Sequence, residues 1–168
     1  MNYYAGIGSR QTPEEVLKIL KKIGSYMAKN DFILRSGAAD GADTAFEQGC
    51  DLENGKKEIY LPWQGFNRHT SEFFTPSQEA FDLAEKTHPD WSSLRHSAKK
   101  LHARNSHQIL GQDMKTPVKL VICWSKGKGG TEQALRIARS LDIPIVNLYD
   151  LAIVEQIHDA INEIIKEK

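Results

Sequence analysis

Three glycine-bearing turns hold the residue types that grip anions: Gly6-Ile7-Gly8-Ser9-Arg10, Ser36-Gly37-Ala38-Ala39-Asp40-Gly41-Ala42-Asp43 and Gly127-Lys128-Gly129-Gly130-Thr131. Each follows a strand-like run and opens into a helix-like run. A turn of this kind puts bare backbone N–H groups and a helix N-terminus at one edge of a sheet, which suits a phosphate. In the first, Ser9 adds a hydroxyl, and Arg10 adds a fixed charge able to hold phosphate or carboxylate in bidentate fashion. In the second, Gly37 and Gly41 can take backbone angles closed to other residues, and Ala38, Ala39 and Ala42 leave room for close approach. Asp40 and Asp43 stand at the start of the next helix, one as a cap worth about 1 kcal/mol and the other as an acceptor for ribose hydroxyls. In the third, Lys126 and Lys128 stand beside the glycines, Thr131 is the expected N-cap and Glu132 favours the helix dipole. This turn lacks the Walker spacing, which disfavours a magnesium-dependent ATP-hydrolysing site. The first turn lacks the third glycine of the dinucleotide fingerprint.

The elements that must carry these turns alternate along the chain. Strands are expected at Tyr3–Gly6, Phe32–Ser36, Glu58–Leu61, Val118–Trp124 and Ile143–Leu148. The first helix should start with a capping box, Thr12 as N-cap, Pro13 first and Glu15 closing it, with Val16, Leu17, Leu20, Ile23 and Met27 on one face. Further helices are expected over Ala42–Cys50, Ser77–Thr87, about Ser93 to Met114, Thr131–Leu141 and Ala152–Glu167. Strands alternating with helices imply an α/β fold, a Rossmann-like, doubly wound parallel sheet with helices on both faces. The expected strand order is 3-2-1-4-5, with residues 1–168 forming one domain. The chain then reverses direction between the first and fourth strands, and ligands bind beyond the carboxyl ends of the strands at such a point.

Composition narrows the function. Lys+Arg and Asp+Glu both total 22, so the net charge is zero, whereas grip on a nucleic-acid backbone usually brings a basic excess. Cys50 and Cys123 are the only cysteines. With no paired-cysteine framework and no signal peptide, the cytoplasm is the expected compartment. No apolar run approaches the roughly 20 residues that span a bilayer, so no membrane partner is expected. The histidines His69, His88, His96, His102, His107 and His158 show no metal-ligand spacing. Neither a metal nor another cofactor is expected.

At this point the residues carry a family likeness. Leu34–Asp43 resembles the Ser-Gly-Gly-Ala-x-Gly-Ala-Asp signature of the SLOG superfamily, which joins the Rossmann-like domain of DprA/Smf with the LOG phosphoribohydrolases. Gly6–Arg10 resembles that group's first turn, and Gly129-Gly130-Thr131 its glycine-rich turn. Ala103–Gly111 is similar to DprA's Arg-Asn-Arg-Ile-Ile-Ala-Gly segment. The likeness runs from residue 3 to about residue 148 and points to the compact stand-alone DprA-like proteins of phage and bacteria.

The resemblance implies a nucleotide or phosphorylated nucleoside derivative as ligand, such as an ADP-ribose-like or cyclic nucleotide signal, sensed or sequestered. It implies phosphate contacts from Gly8, Ser9, Arg10, Gly37, Gly129, Gly130 and Thr131, with Gly6, Ser36, Ala38, Gly41 and Glu132 in the same set. Asp40 or Asp43 would read the sugar, and Trp63 or Phe66 would stack the base. Arg104 and Asn105 join if their helix packs over the pocket, and Arg104 otherwise serves an interhelix salt bridge. Relatives pair through their long helices, so a homo-oligomer through Ser93–Met114 is expected.

The LOG enzymes carry Pro-Gly-Gly-x-Gly-Thr-x-x-Glu, and here Ala134 stands where that catalytic glutamate would be. Binding is therefore expected ahead of catalysis. Two rivals remain: N-glycosidic cleavage with Asp43, Glu132 or Glu47 as carboxylate, and single-stranded DNA handling with a basic patch of Lys99, Lys100, Arg104 and Lys115.

Overall fold

Alternation along the strands builds two cores. The computed structural model describes residues 1–150 and 154–166. Strands β1 (Asn2–Gly8), β2 (Phe32–Ser36), β3 (Lys57–Ile59), β4 (Leu120–Trp124) and β5 (Ile145–Asn147) form one sheet in the order β3-β2-β1-β4-β5. Every pairing is parallel. Helices α1 (Glu14–Lys29), α2 (Ala42–Leu52), α3 (Gln78–Thr87), α4 (His96–Leu110), α5 (Gly130–Ser140) and α6 (Val154–Lys166) connect and cover it. Tyr4, Leu34, Leu120 and Ile122 join Leu20 of α1, Phe46 of α2 and Ile157 of α6 in one core. Ala5, Ile7, Val121 and Cys123 join Ile109 of α4 and Leu135 of α5 in the other. Each fully buried aliphatic side chain of this kind contributes about 1.5–3 kcal/mol. β1 and β4 are buried on both faces, as central parallel strands must be.

The expected order 3-2-1-4-5 is the observed one, and it brings the carboxyl ends of β1, β2 and β4 side by side. Register fixes the match: Gly8 lies opposite Trp124, and Ala5 opposite Arg35.

Several local expectations are corrected. β1 extends to Gly8, so Gly6 and Gly8 belong to the strand and the turn proper begins at Ser9. Thr12 does not cap α1. Pro13 holds that position without a side-chain bond, and the Thr12 hydroxyl donates to Ser9 O at 2.6 Å, closing the first turn instead. Neither Asp40 nor Asp43 caps α2, and Thr131 does not cap α5; the cap positions are Gly41 and Gly129, neither with a side-chain bond. The long helix expected over Ser93–Met114 is shorter, a 3-10 turn at Trp91–Ser93 and then α4, which stops before Gly111 at φ 79. The last-helix expectation Ala152–Glu167 falls partly outside the described residues at Ala152, Ile153 and Glu167.

Candidate functional site

Each turn is built from its own strand end. After β1, Ser9 N donates to Trp124 O at 3.1 Å, which ties the first turn to β4. After β2, Ser36 Oγ donates to Gly6 O at 2.6 Å. The second turn then passes through Ala38 at φ 57, a left-handed angle, where the signature quoted above has glycine. After β4, the third turn is anchored by Asn147 of β5. Its Oδ1 accepts from Ser125 N at 3.0 Å, and its Nδ2 donates to Ser125 O at 2.9 Å.

Buried polar side chains then bind the turns to one another. Asp43, in the first turn of α2, accepts from Gly8 N at 3.2 Å and from Ala39 N at 3.3 Å, so one carboxylate joins the first and second turns. Arg104 of α4 donates through Nη1 to Gly37 O and, at 3.2 Å, to Tyr60 O. Its Nε donates to Asn105 Oδ1 at 3.0 Å, and Asn105 Nδ2 donates to Gly130 O at 3.0 Å. The second and third turns are thus linked through two adjacent residues of one helix. All three turns face one cavity of about 1160 Å³ at the carboxyl edge of the sheet.

The wall is polar. Arg10, Lys126 and Lys128 are exposed cations around it, with Asp40 the exposed carboxylate. Burial raises Asp43 to about 6, against the pull of the Arg104 charge and of the N–H groups of Ala39, Gly8 and Gly37. Arg104 is itself lowered by burial, with Asp43 opposing. The two lie close enough to feel each other without an ion pair, and Arg104 makes backbone contacts in place of the interhelix salt bridge that was the alternative to its joining the pocket. Arg104 is only 6% exposed, so it cannot belong to a surface patch with Lys99, Lys100 and Lys115.

The glycines divide in use. A Cβ at Gly37 would meet Arg104 Nη1 at 2.5 Å and Gln108 Nε2 at 2.2 Å, so this position is filled by α4 side chains. At Gly129 and Gly130 nothing lies within 4 Å, and the backbone there is open. The third turn is the one with free approach.

Of the residues expected to bind ligand, Gly8, Ser9, Arg10, Asp40 and Asp43 line the cavity from the first two turns. Arg104, Asn105, Gly129, Gly130, Thr131 and Glu132 line it from α4 and the third turn. Gly6, Ser36, Gly37, Ala38 and Gly41 lie behind that wall as its support, and Trp63 is outside it, edge-on to Phe66. Phe66 does reach the wall, with the Arg104 guanidinium 5.5 Å from its ring centre. One oxygen of Glu132 pairs with Arg139, and the other is buried without a partner. Ala134 is fully buried in the core, facing away from the cavity. α4 is buried from Ala103 to Ile109, which leaves only its first two turns free for pairing between copies. Among the described residues, no three His, Cys, Asp or Glu side chains are grouped to hold a metal.

Sequence reasoning missed Asn147, Gln133, His88, His102 and Arg136. A polar residue at the end of an apolar strand was the one available signal for Asn147. The others lie on α4 and α5 or, for His88, just past the end of α3, and only packing brings them together.

No protein-family model matches the chain, and no curated protein does. Solved structures are similar in fold. One is DNA processing protein A from Helicobacter pylori, described by its single-stranded DNA binding mode, with TM-score 0.52 and 16% identity over 87% of this chain and 64% of that one. Another is DprA from Streptococcus pneumoniae, with TM-score 0.57 and 15% identity over 99% of this chain and 56% of that one. The molybdenum cofactor carrier protein of Chlamydomonas reinhardtii superposes at TM-score 0.48 and 15% identity over 99% of both chains. This chain therefore spans under two thirds of the two DprA chains, and what it shares with them at these identities is the Rossmann-like fold.

Proposed function

We propose that the chain binds a phosphate-bearing nucleotide-type ligand in the cavity between the three turns, as a sensor or sequestering protein. The observation that carries this is the convergence of the turns on one cavity, with open space beside Gly129 and Gly130 at the start of α5. Free N–H groups at a helix start and three cations at the rim attract phosphate. Phe66 lines the cavity where Trp63 does not, so in this reading Phe66 meets the base. Calorimetric titration with nucleoside 5′-monophosphates tests the proposal, and heat-silent mixtures for all four bases would contradict it.

A second reading is favoured by Asp43, a cavity-lining carboxylate raised to about 6, close to the value that suits general acid–base work. In that reading the N-glycosidic bond of the nucleotide breaks, water adds to the sugar C1′ and the base leaves with a proton. Chromatography after incubation with a monophosphate detects the free base. The fold likeness to DprA supports a third use, the holding of single-stranded DNA, which a gel shift at two salt concentrations separates from the others.

A further inference from the structure

The cavity continues past the glycine turns to polar side chains that the phosphate cradle leaves unused. His88 closes α3, His102 lies on α4, Arg136 lies on α5, and all three line the same wall. Arg136 is half-buried and has no carboxylate partner among the described residues. Its Nε and Nη2 donate to Gln133 Oε1 at 3.2 and 2.6 Å. Gln133 is fully buried and is pinned in turn by Nε2 to Thr87 Oγ1 at 2.7 Å and to Ala84 O at 3.2 Å. A neutral amide thus orients the guanidinium and leaves its charge uncompensated.

The imidazoles complete the picture. His88 Nδ1 accepts from Asp90 N at 3.0 Å, so the proton of the neutral ring sits on Nε2, a donor. The rings of His88 and His102 lie 4.7 Å apart, and His102 Nδ1 is buried without a hydrogen-bond partner. Burial, then the charges of His88, Arg136 and Arg104, pull His102 down to about 4. Burial and Arg136 also lower His88, with Asp90 opposing. A half-buried guanidinium held in place by a neutral amide, with no carboxylate beside it, is set to receive something negative.

We infer that the end of the cavity formed by His88, His102 and Arg136 is a second anion subsite, and that the ligand is a nucleotide carrying two phosphates separated by its nucleoside. The guanidinium fork and imidazole donors fit the several acceptor oxygens of a phosphate. The cavity, at about 1160 Å³, exceeds the roughly 300–1,000 Å³ of an ordinary single-ligand pocket. This inference rests on the first phosphate binding at the glycine turns.

The test compares three probes by calorimetry: adenosine 5′-monophosphate, adenosine 3′,5′-bisphosphate and a short oligodeoxythymidylate. The bisphosphate is expected to bind at least about tenfold more tightly than the monophosphate, a gain that Arg136→Gln abolishes and His88→Gln reduces. Should Arg136→Gln melt early by circular dichroism, His88→Gln carries the comparison alone. If the oligonucleotide gains still more and loses it in the same variants, both phosphates belong to a strand; if not, to a free nucleotide. Monophosphate binding with no gain for the other probes would overturn the second subsite and leave the first reading standing. Absence of monophosphate binding would bring down both.

Discussion

Asp43 joins two of the three turns through two weak, buried acceptor contacts, and its ionisation is correspondingly strained. In the folded protein it protonates at about 6, against 3.8 for an unconstrained carboxyl. The native state holds the extra proton between those values. The stabilisation this brings is full below about pH 4 and is lost as pH rises through 6. Asp43→Asn removes the titration, so its stability relative to wild type should improve by about 3 kcal/mol between pH 4 and pH 7.5, measured by denaturant unfolding. A difference that does not change with pH would show that the carboxyl is not perturbed. Asn105 makes a second residue-scale test. Asn105→Ala strands the buried Arg104 Nε and frees Gly130 O, an expected loss of about 1–3 kcal/mol with faster amide exchange in the third turn.

The turns differ in what their backbones demand. Ala38 sits at φ 57, where a side chain costs about 1–2 kcal/mol, so Ala38→Gly should stabilise the protein by about 1 kcal/mol in urea unfolding. Gly130 has open space where a Cβ would go. Gly130→Ala should leave the melting temperature within a few degrees yet weaken monophosphate binding about fivefold or more by capping the bare backbone, as calorimetry would read. The strands and most helices were legible because hydrophobic period is a local signal. The buried face of α1 follows from that period, and the order 3-2-1-4-5 from the alternation of strands with helices. The helix caps were not legible. Thr12, Asp43 and Thr131 are all good capping types, but Thr12 closes its own turn and Asp43 reaches across to β1, tertiary uses that no local pattern displays. Likewise the glycine count of the second turn suggested an open cradle at Gly37, which α4 in fact fills with Arg104 and Gln108.

At the scale of the whole molecule, balanced charge and the cavity at the carboxyl edge of the sheet suit the proposed small ligand, held by few phosphate contacts. Binding of a mononucleotide should fall only modestly between 50 and 200 mM salt, since a lone nucleotide carries no condensed counterion atmosphere to release, whereas a strand engaging many phosphates would lose affinity by orders of magnitude. A steep slope would move the weight of the case to the DNA-holding use.

The decisive measurement is an amide-resolved NMR titration with a nucleoside 5′-monophosphate. Signals from Ser9, Ala39, Gly129, Gly130 and Thr131 should move together and saturate with one dissociation constant, since the buried ties of Asp43, Arg104 and Asn105 hold these loops to one another. Movement confined to one loop, or none at saturating ligand, would mean that the loops share an edge of the sheet without sharing a ligand.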